Sequence, residues 1–158
     1  MSSTNVSSES TSQTQSDLGV DMNLEVVTLP VSDVDRAKAF YESLGWRMDI
    51  DLVISDDIRT VQLTPPHSGC SIQITKGGTT TAPGSVQGSI LVVNDIDAAR
   101  EDLISRGVEV SEVHELRPPG FDSPGRSYFA RASFTDPDGN TWELQEVTER
   151  LPGRTWED

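Results

Sequence analysis

The residue types that most often carry metal or nucleophilic chemistry are scarce in this sequence. It contains two histidines, His67 and His114, and one cysteine, Cys70. A single cysteine excludes an intramolecular disulfide bond and a cysteine-rich zinc site, so we expect Cys70 to be a packed thiol. His67 lies in a Pro-Pro-His-Ser-Gly turn and His114 precedes a loop rich in Pro and Gly. The simpler interpretation of both is an exposed loop histidine.

Length and charge narrow the class of protein further. The chain has 158 residues, and its 12 Lys and Arg against 26 Asp and Glu give a formal net charge of −14. This length suits one compact domain of about 100–200 residues. The acidity argues against binding to nucleic acid or to an anionic membrane surface, and no apolar run reaches the ~18–20 residues of a membrane span.

The first 22 residues form a compositionally separate segment. Residues 2–16 are almost entirely Ser, Thr, Gln, Asn and Glu, which predicts a disordered tail over 1–22. The segment lacks the basic start and apolar stretch of a secretory signal, so we expect a cytoplasmic protein. Residues 149–158 are expected to form a short C-terminal tail.

The rest of the chain repeats one order of predicted elements. The first copy has a strand over 23–31, a helix that begins at a capping sequence near Asp33 and ends at Gly45, and strands over 46–54, 59–63 and 71–75. The second copy has a strand over 86–93, a helix from Asp95 to Gly107, and strands over 108–113, 128–135 and 141–147. We therefore expect one module over 23–80 and a second over 85–148.

The two copies also share identities at an offset of 62 residues. Seven identical pairs fall between positions 29 and 45 of the first copy: Leu29/Leu91, Val31/Val93, Asp33/Asp95, Asp35/Asp97, Ala37/Ala99, Ser43/Ser105 and Gly45/Gly107. The repeat predicts an α+β fold in which two tandem βαβββ modules form a curved mixed sheet around a groove. A ligand would lie in that groove.

Three segments give the sequence a specific resemblance. LPVSDVDRAKAFYESLGW, LVVNDIDAAREDLISRG and SFTDPDGNTWELQE resemble the vicinal oxygen chelate superfamily, which includes glyoxalase I, bleomycin-resistance proteins, fosfomycin-resistance transferases and extradiol dioxygenases. The match covers roughly residues 23–148. The resemblance implies paired βαβββ modules, with a divalent metal held by one residue from the first strand and one from the last strand of each module.

The positions that correspond to the metal ligands are poorly suited to a metal. They map to Val26, Gly88, Gln73 and Glu143, of which only Glu143 is ionisable. A Zn, Ni or Fe ion normally needs three or four N, O or S donors, so we predict that this chain uses no metal and no other cofactor.

Without a metal, Glu143 and His114 are the candidate catalytic residues. A carboxylate in an apolar groove can act as a general base near neutral pH, and the loop after His114 could fold over the groove as a lid. The alternative is that Glu143 is a relic that pairs with Arg131 or hydrogen-bonds Gln73. The sequence leaves these alternatives open.

Strand alternation suggests further ligand-binding residues. With Gln73 and Glu143 facing the groove, Gln145 and Thr28 should share their side. The set of candidate ligand-binding residues also includes Gln62, Tyr128 and Arg131, whose facing is a guess. Gln and Thr with one Glu suit a neutral, oxygen-rich small molecule. The candidates for stacking on a planar ligand are Tyr128, Phe129, Phe134 and Trp142, although core packing is the commoner role of aromatic residues in strands.

Three functions are compatible with these residues. The first, which we favour, is metal-free binding of a small organic molecule, as in drug sequestration. The second is a metal-free lyase or isomerase that uses Glu143 or His114 as acid or base. The third is a divalent-metal enzyme of the glyoxalase or dioxygenase type, with His67 or His114 as a relocated ligand. Whether the chain is an enzyme therefore stays open. The resemblance implies a homodimer, and the other expected partner of the protein is a small-molecule ligand or substrate.

Overall fold

Two four-stranded mixed sheets, each with one helix, are built by residues Leu24–Thr148 in the computed structural model. The structure describes residues 19–121 and 124–150. Leu24–Thr148 forms one compact unit, and the described residues outside it are 19–23 and 149–150. The predicted tails therefore lie largely outside the described residues.

The first sheet follows the predicted βαβββ order. Its elements are β1 (Val26–Pro30), α1 (Val34–Ser43), β2 (Arg47–Ser55), β3 (Ile58–Thr64) and β4 (Ser71–Lys76). The strand order is β1-β4-β3-β2, with β1 parallel to β4 and the other pairs antiparallel.

The second sheet repeats this topology. Its elements are β5 (Ser89–Val93), α2 (Ile96–Ser105), β6 (His114–Glu115), β7 (Ala130–Thr135) and β8 (Thr141–Glu146). The order is β5-β8-β7-β6, with β5 parallel to β8. The predicted α+β fold of two βαβββ modules is confirmed, as two sheets of four strands.

Both helices begin where the capping sequences place them. The carboxylate of Asp33 accepts a hydrogen bond from the Arg36 backbone N–H at 3.0 Å, and Asp95 accepts one from the Ala98 N–H at 3.0 Å. Each bond satisfies a backbone donor that the first helical turn leaves unpaired. After each helix a glycine adopts the left-handed backbone that ends a helix.

The core lies between the helices and one face of each sheet. Alternate strand residues such as Val61, Leu63 and Ile74 are fully buried there, together with Ile96 of α2. The candidate stacking residues Phe129, Phe134 and Trp142 are also buried. Phe134 and Trp142 stack on each other at 6.5 Å between ring centroids, so they are core residues, the role considered commoner for them.

A buried polar network connects the two modules. The Tyr41 hydroxyl of α1 donates to the Asp136 carboxylate at 2.8 Å and accepts from Trp142 Nε1 at 2.9 Å. Asn140 Nδ2 donates to the same carboxylate at 2.8 Å and to the Pro30 carbonyl at 3.0 Å. Burial, followed by the negative charge of Asp136, raises the pKa of the Tyr41 phenol. The Asp-Pro-Asp-Gly-Asn turn thus fixes the second module to the first.

Four strand predictions differ from the structure. The strand predicted over 108–113 is wrong, because residues 108–113 form no strand and the β6 strand that follows them is limited to His114–Glu115, which pairs with β7. Ser111 donates its N–H to Ser133 at 2.9 Å, but the Ser133 N–H bonds the Ser111 hydroxyl, which interrupts the backbone ladder. The strands predicted from 23, 86 and 128 start instead at 26, 89 and 130. The last two follow Gly88 and Tyr128, which have left-handed backbone conformations.

Candidate functional site

Each sheet has one face turned away from its helix, here called the open face. Registered partners share a face, and the core residues alternate with them along each strand. The open face comprises Val26, Thr28, Ile50, Leu52, Thr60, Gln62 and Gln73 in the first sheet, and Ile90, Val92, His114, Arg131, Ser133, Glu143 and Gln145 in the second. Seven of the eight predicted site residues therefore lie on it.

A row of hydrogen-bonding side chains crosses the first sheet. Thr28 of β1 is beside Gln73 of β4, Gln73 is opposite Gln62 of β3, and Gln62 is opposite Ile50 of β2. The two glutamines are half-buried, so part of each amide is accessible. Amide groups both donate and accept, which suits a ligand that carries neutral oxygen atoms.

Two corresponding rows cross the second sheet. Gln145 of β8 lies between Val92 and Arg131, and Arg131 is opposite His114. In the next row, Glu143 lies between Ile90 and Ser133. Position 143 is thus diagonal to position 131, within the reach of long side chains across a pair of strands.

Glu143 and Arg131 form an ion pair on the open face. Arg131 Nη1 is 3.1 Å from Glu143 Oε2, and the side chains are 16% and 25% exposed, respectively. No hydrogen bond joins Glu143 to Gln73 within the described ranges, so Arg131 is its partner of the two considered. Glu143 is therefore not the isolated carboxylate that a general base in an apolar groove would require.

The backbone of Tyr128 holds Arg131 and Gln145 in place. Its carbonyl accepts hydrogen bonds from Gln145 Nε2 at 2.9 Å and from Arg131 Nε at 3.4 Å, and its N–H donates to the Glu146 carbonyl at 2.7 Å. Tyr128 has a φ of 69°, which is uncommon for a residue with a side chain. It lies outside the strand, and sequence reasoning missed this backbone role because nothing in the sequence signals a left-handed tyrosine.

Among the described residues, neither histidine nor the cysteine belongs to a group of side chains that could hold a metal. His67 is exposed with a φ of 61°, in the predicted turn. His114 is also exposed, and its Nδ1 is 3.3 Å from the Glu112 carbonyl. Burial and the charge of Glu25 raise the pKa of the Cys70 thiol, which fits a packed thiol and not a nucleophile.

The residues at the family's metal positions do not fit a divalent ion. Val26 and Gly88 carry no donor, Gln73 offers only a neutral amide, and Glu143 is engaged by a guanidinium. In the part of the chain that the structure describes, no group of three or more His, Cys, Asp or Glu side chains is placed to hold a metal. The relocated sites at His67 or His114 would need such a group.

Apolar side chains flank the polar rows of the open face. Ile50, Leu52 and Ile90 are 48%, 50% and 49% exposed, and Val92 is 39% exposed. Aliphatic side chains that remain half exposed around hydrogen-bonding groups are typical of ligand or protein contact surfaces. The open face can therefore provide both apolar contact and directional hydrogen bonds.

The predicted lid begins beside this surface. Arg117 lies 4.2 Å from the centroid of the Phe129 ring and donates to the Gly125 carbonyl at 2.7 Å. Residues 122–123 of the segment are outside the described residues. The lid therefore stays a prediction.

Comparisons with known proteins agree with the fold of two βαβββ modules. Residues 23–144 match the family model described as the Glyoxalase/Bleomycin resistance protein/Dioxygenase superfamily. None of the curated proteins matches the sequence. Within residues 19–121 and 124–150, every helix is too short or too polar to cross a bilayer.

Three solved structures are similar over most of their length. TnmS3, an antibiotic binding protein from Streptomyces sp. CB03234, is 29% identical with a TM-score of 0.66, over 81% of this chain and 98% of that one. A glyoxalase/bleomycin resistance protein from the same organism is 31% identical with a TM-score of 0.61, over 78% and 99%. A member of the superfamily from Sphaerobacter thermophilus DSM 20745 is 27% identical with a TM-score of 0.64, over 80% and 98%.

Proposed function

Because the chain belongs to the glyoxalase/bleomycin resistance protein/dioxygenase superfamily, we propose that it binds a small organic molecule on its open face without a metal. The ligand class that fits is a neutral molecule with carbonyl, ether or hydroxyl oxygens. Apolar parts of the ligand would contact the aliphatic side chains, and its oxygens would bond the amide and hydroxyl groups.

The ion pair between Arg131 and Glu143 is the observation that carries this proposal. It neutralises the one ionisable residue among the four metal positions. A surface without net local charge has little attraction for an ion, whereas the Gln and Thr groups of the first sheet can bond neutral oxygen atoms. Thr28, Gln62, Gln73, Arg131 and Gln145 are the proposed ligand-binding residues, and Tyr128 supports the last two through its backbone carbonyl.

The biological role that we propose is sequestration of a small molecule such as an antibiotic. TnmS3 binds an antibiotic and matches this chain over 98% of its own length. Sequestration needs affinity and release but no reacting groups. We further propose that the protein acts in the cytoplasm as a homodimer, as its resemblance to the superfamily implies, and that it engages neither nucleic acid nor membrane.

Catalysis by Glu143 or His114 has less support. Glu143 is occupied by Arg131, and His114 contacts only the Glu112 carbonyl among its described hydrogen-bond partners. A metal-free lyase or isomerase would need one of these groups free beside a substrate carbon. That function remains the alternative.

The test uses EDTA-treated protein and four probes that differ in charge and in acceptor oxygens. Chromone is a neutral bicyclic ketone, chroman lacks its carbonyl, chromone-2-carboxylate is an anion, and metal-free bleomycin is a large cationic antibiotic. Thermal unfolding and calorimetric titration measure binding. A ligand at 100 times its dissociation constant adds about 2.7 kcal/mol of stability, which raises the melting temperature by several degrees.

We expect chromone to bind more tightly than chroman and chromone-2-carboxylate. Gln73→Leu should weaken chromone binding, whereas Val53→Ser, which alters an exposed residue of β2 off the open face, should not. Failure of all four probes, or binding that appears only after a divalent metal is added, would contradict the proposal. Size-exclusion chromatography with light scattering measures the oligomeric state.

A further inference from the structure

We propose that Arg131 is an internal cation that takes the place of a metal ion at Glu143. Glu143 occupies the last-strand position at which the resemblance implies a metal ligand, yet its carboxylate forms an ion pair with a guanidinium from the adjacent strand β7. The positive charge that would come from a metal is thus part of the polypeptide.

The surroundings of Arg131 fit a fixed cation. Its Nε donates to the Tyr128 carbonyl at 3.4 Å while Nη1 lies 3.1 Å from Glu143 Oε2 in an ion pair, so the planar guanidinium is held at two points. Its side chain is only 16% exposed. Two anchors on a rigid fork restrict the side chain far more than a single surface contact would.

The replacement changes what the site can do. A divalent ion has open coordination positions and polarises a bound oxygen as a Lewis acid. A guanidinium cannot coordinate an oxygen and offers only N–H donors. Within the described residues, the second terminal amino group of Arg131 has no partner, so it can donate to a ligand oxygen. Because Glu143 balances the charge, the preferred oxygen is a neutral carbonyl, and this part of the inference rests on the proposed binding function.

The test converts the internal cation into a metal ligand. Arg131→His places an imidazole opposite His114 and diagonal to Glu143, which would give two imidazoles and one carboxylate on one face. Directly opposite residues in an antiparallel pair have Cβ atoms about 4.5–5.5 Å apart, close enough for two side chains to share an ion. Two imidazoles with a carboxylate suit divalent transition metals. Ni²⁺ and Zn²⁺ alone are titrated by calorimetry into the full chain, so no organic ligand is needed.

We expect Arg131→His to bind Ni²⁺ at least about tenfold more tightly than the wild type, since even an outer-shell partner of a metal ligand typically contributes 10–100-fold in affinity. Arg131→His combined with Glu143→Gln should return to the wild-type level. Arg131→Gln, which removes the cation without adding a strong donor, should also remain at that level. Melting curves of all variants check that each chain is folded.

Two metal results would overturn the inference. One is stoichiometric Ni²⁺ binding by the wild type that Glu143→Gln abolishes, because Glu143 would then be available to a metal beside Arg131. The other is no gain of Ni²⁺ affinity in a folded Arg131→His variant, because position 131 would then not lie where a cation meets Glu143.

A separate measurement tests the ligand bond. Arg131→Gln should lower the affinity for chromone about tenfold, equivalent to about 1.4 kcal/mol, and leave that for chroman unchanged. Equal losses for both probes would refute the hydrogen bond to a carbonyl. If neither probe binds the wild type, the proposed function and this bond fail together, while the metal titrations still decide the role of Arg131.

Discussion

Replacing Tyr41 by Phe tests the polar network that joins the two modules. The change removes one oxygen atom and keeps the ring in a position that is fully buried. That oxygen has two roles, as donor to the Asp136 carboxylate at 2.8 Å and as acceptor from Trp142 Nε1 at 2.9 Å. Both partners are at most 5% exposed, so water cannot readily replace the lost hydroxyl.

The cost follows from these two contacts. A hydrogen bond to a charged group contributes about 1.5–3 kcal/mol, and a buried donor left without an acceptor costs about 1–3 kcal/mol. The sum is about 2.5–6 kcal/mol, and we expect about 3 kcal/mol because the Asp136 carboxylate keeps its bonds from Asn140. For a chain of this size, the melting temperature should fall by roughly 6–12 °C.

Urea unfolding followed by circular dichroism measures the loss directly. Ser43→Ala is the matched control, since it removes a hydroxyl from an exposed part of the same helix and should change the free energy of unfolding by less than about 0.5 kcal/mol. A loss below about 1 kcal/mol in Tyr41→Phe would refute the reasoning, since it would mean that the network contributes no more than an ordinary exposed hydrogen bond.

Three further predictions concern stability and the open face. Because burial raises the pKa of Tyr41, its phenol stays protonated in the folded state at pH values where the unfolded chain loses that proton. The free energy of unfolding should therefore be constant below about pH 10 and fall above it, less steeply in Tyr41→Phe. Urea unfolding from pH 8 to 11 measures this, and parallel pH dependences for the wild type and the variant would contradict it. Gly84→Ala should destabilise the fold by more than about 1 kcal/mol, because the added Cβ would lie 2.1 Å from the Asp138 carbonyl oxygen, at a φ of +78°. Gly69→Ala is the control, since a Cβ added there would meet no atom within 4 Å. Equal melting temperatures for the two variants would contradict the prediction. Ile50→Ser should leave stability within about 0.5 kcal/mol but weaken chromone binding, and unchanged affinity would remove Ile50 from the proposed site.

Local signals explain why most of the fold could be predicted from the sequence. The caps at Asp33 and Asp95 depend on residues three positions apart, so the sequence contains all that determines them. The absence of the strand predicted over 108–113 is explained instead by a contact between Ser111 and Ser133, 22 residues apart, in which the Ser111 hydroxyl replaces a backbone carbonyl as the acceptor. Periodicity cannot reveal such a contact.

The candidate site could be predicted only in part for the same reason. Alternation along one strand placed Gln145 on the same face as Glu143. The facing of Arg131 depends on the register between β7 and β8, which is set by long-range pairing. Sequence reasoning therefore left Arg131 and Gln73 as alternative partners of Glu143. The observed register places Arg131 beside Glu143.

The Asp-Pro-Asp-Gly-Asn turn has a consequence for how relatives of this chain are sorted. Asp136 and Asn140 form hydrogen bonds with Tyr41 and the Pro30 carbonyl, so the most recognisable part of the sequence is a structural link between the modules. A protein can keep this structural link whether it binds a small molecule, catalyses a reaction or does neither. Searches that use the turn will gather proteins by architecture, and dividing metal users from metal-free binders will require reading position 131 together with position 143.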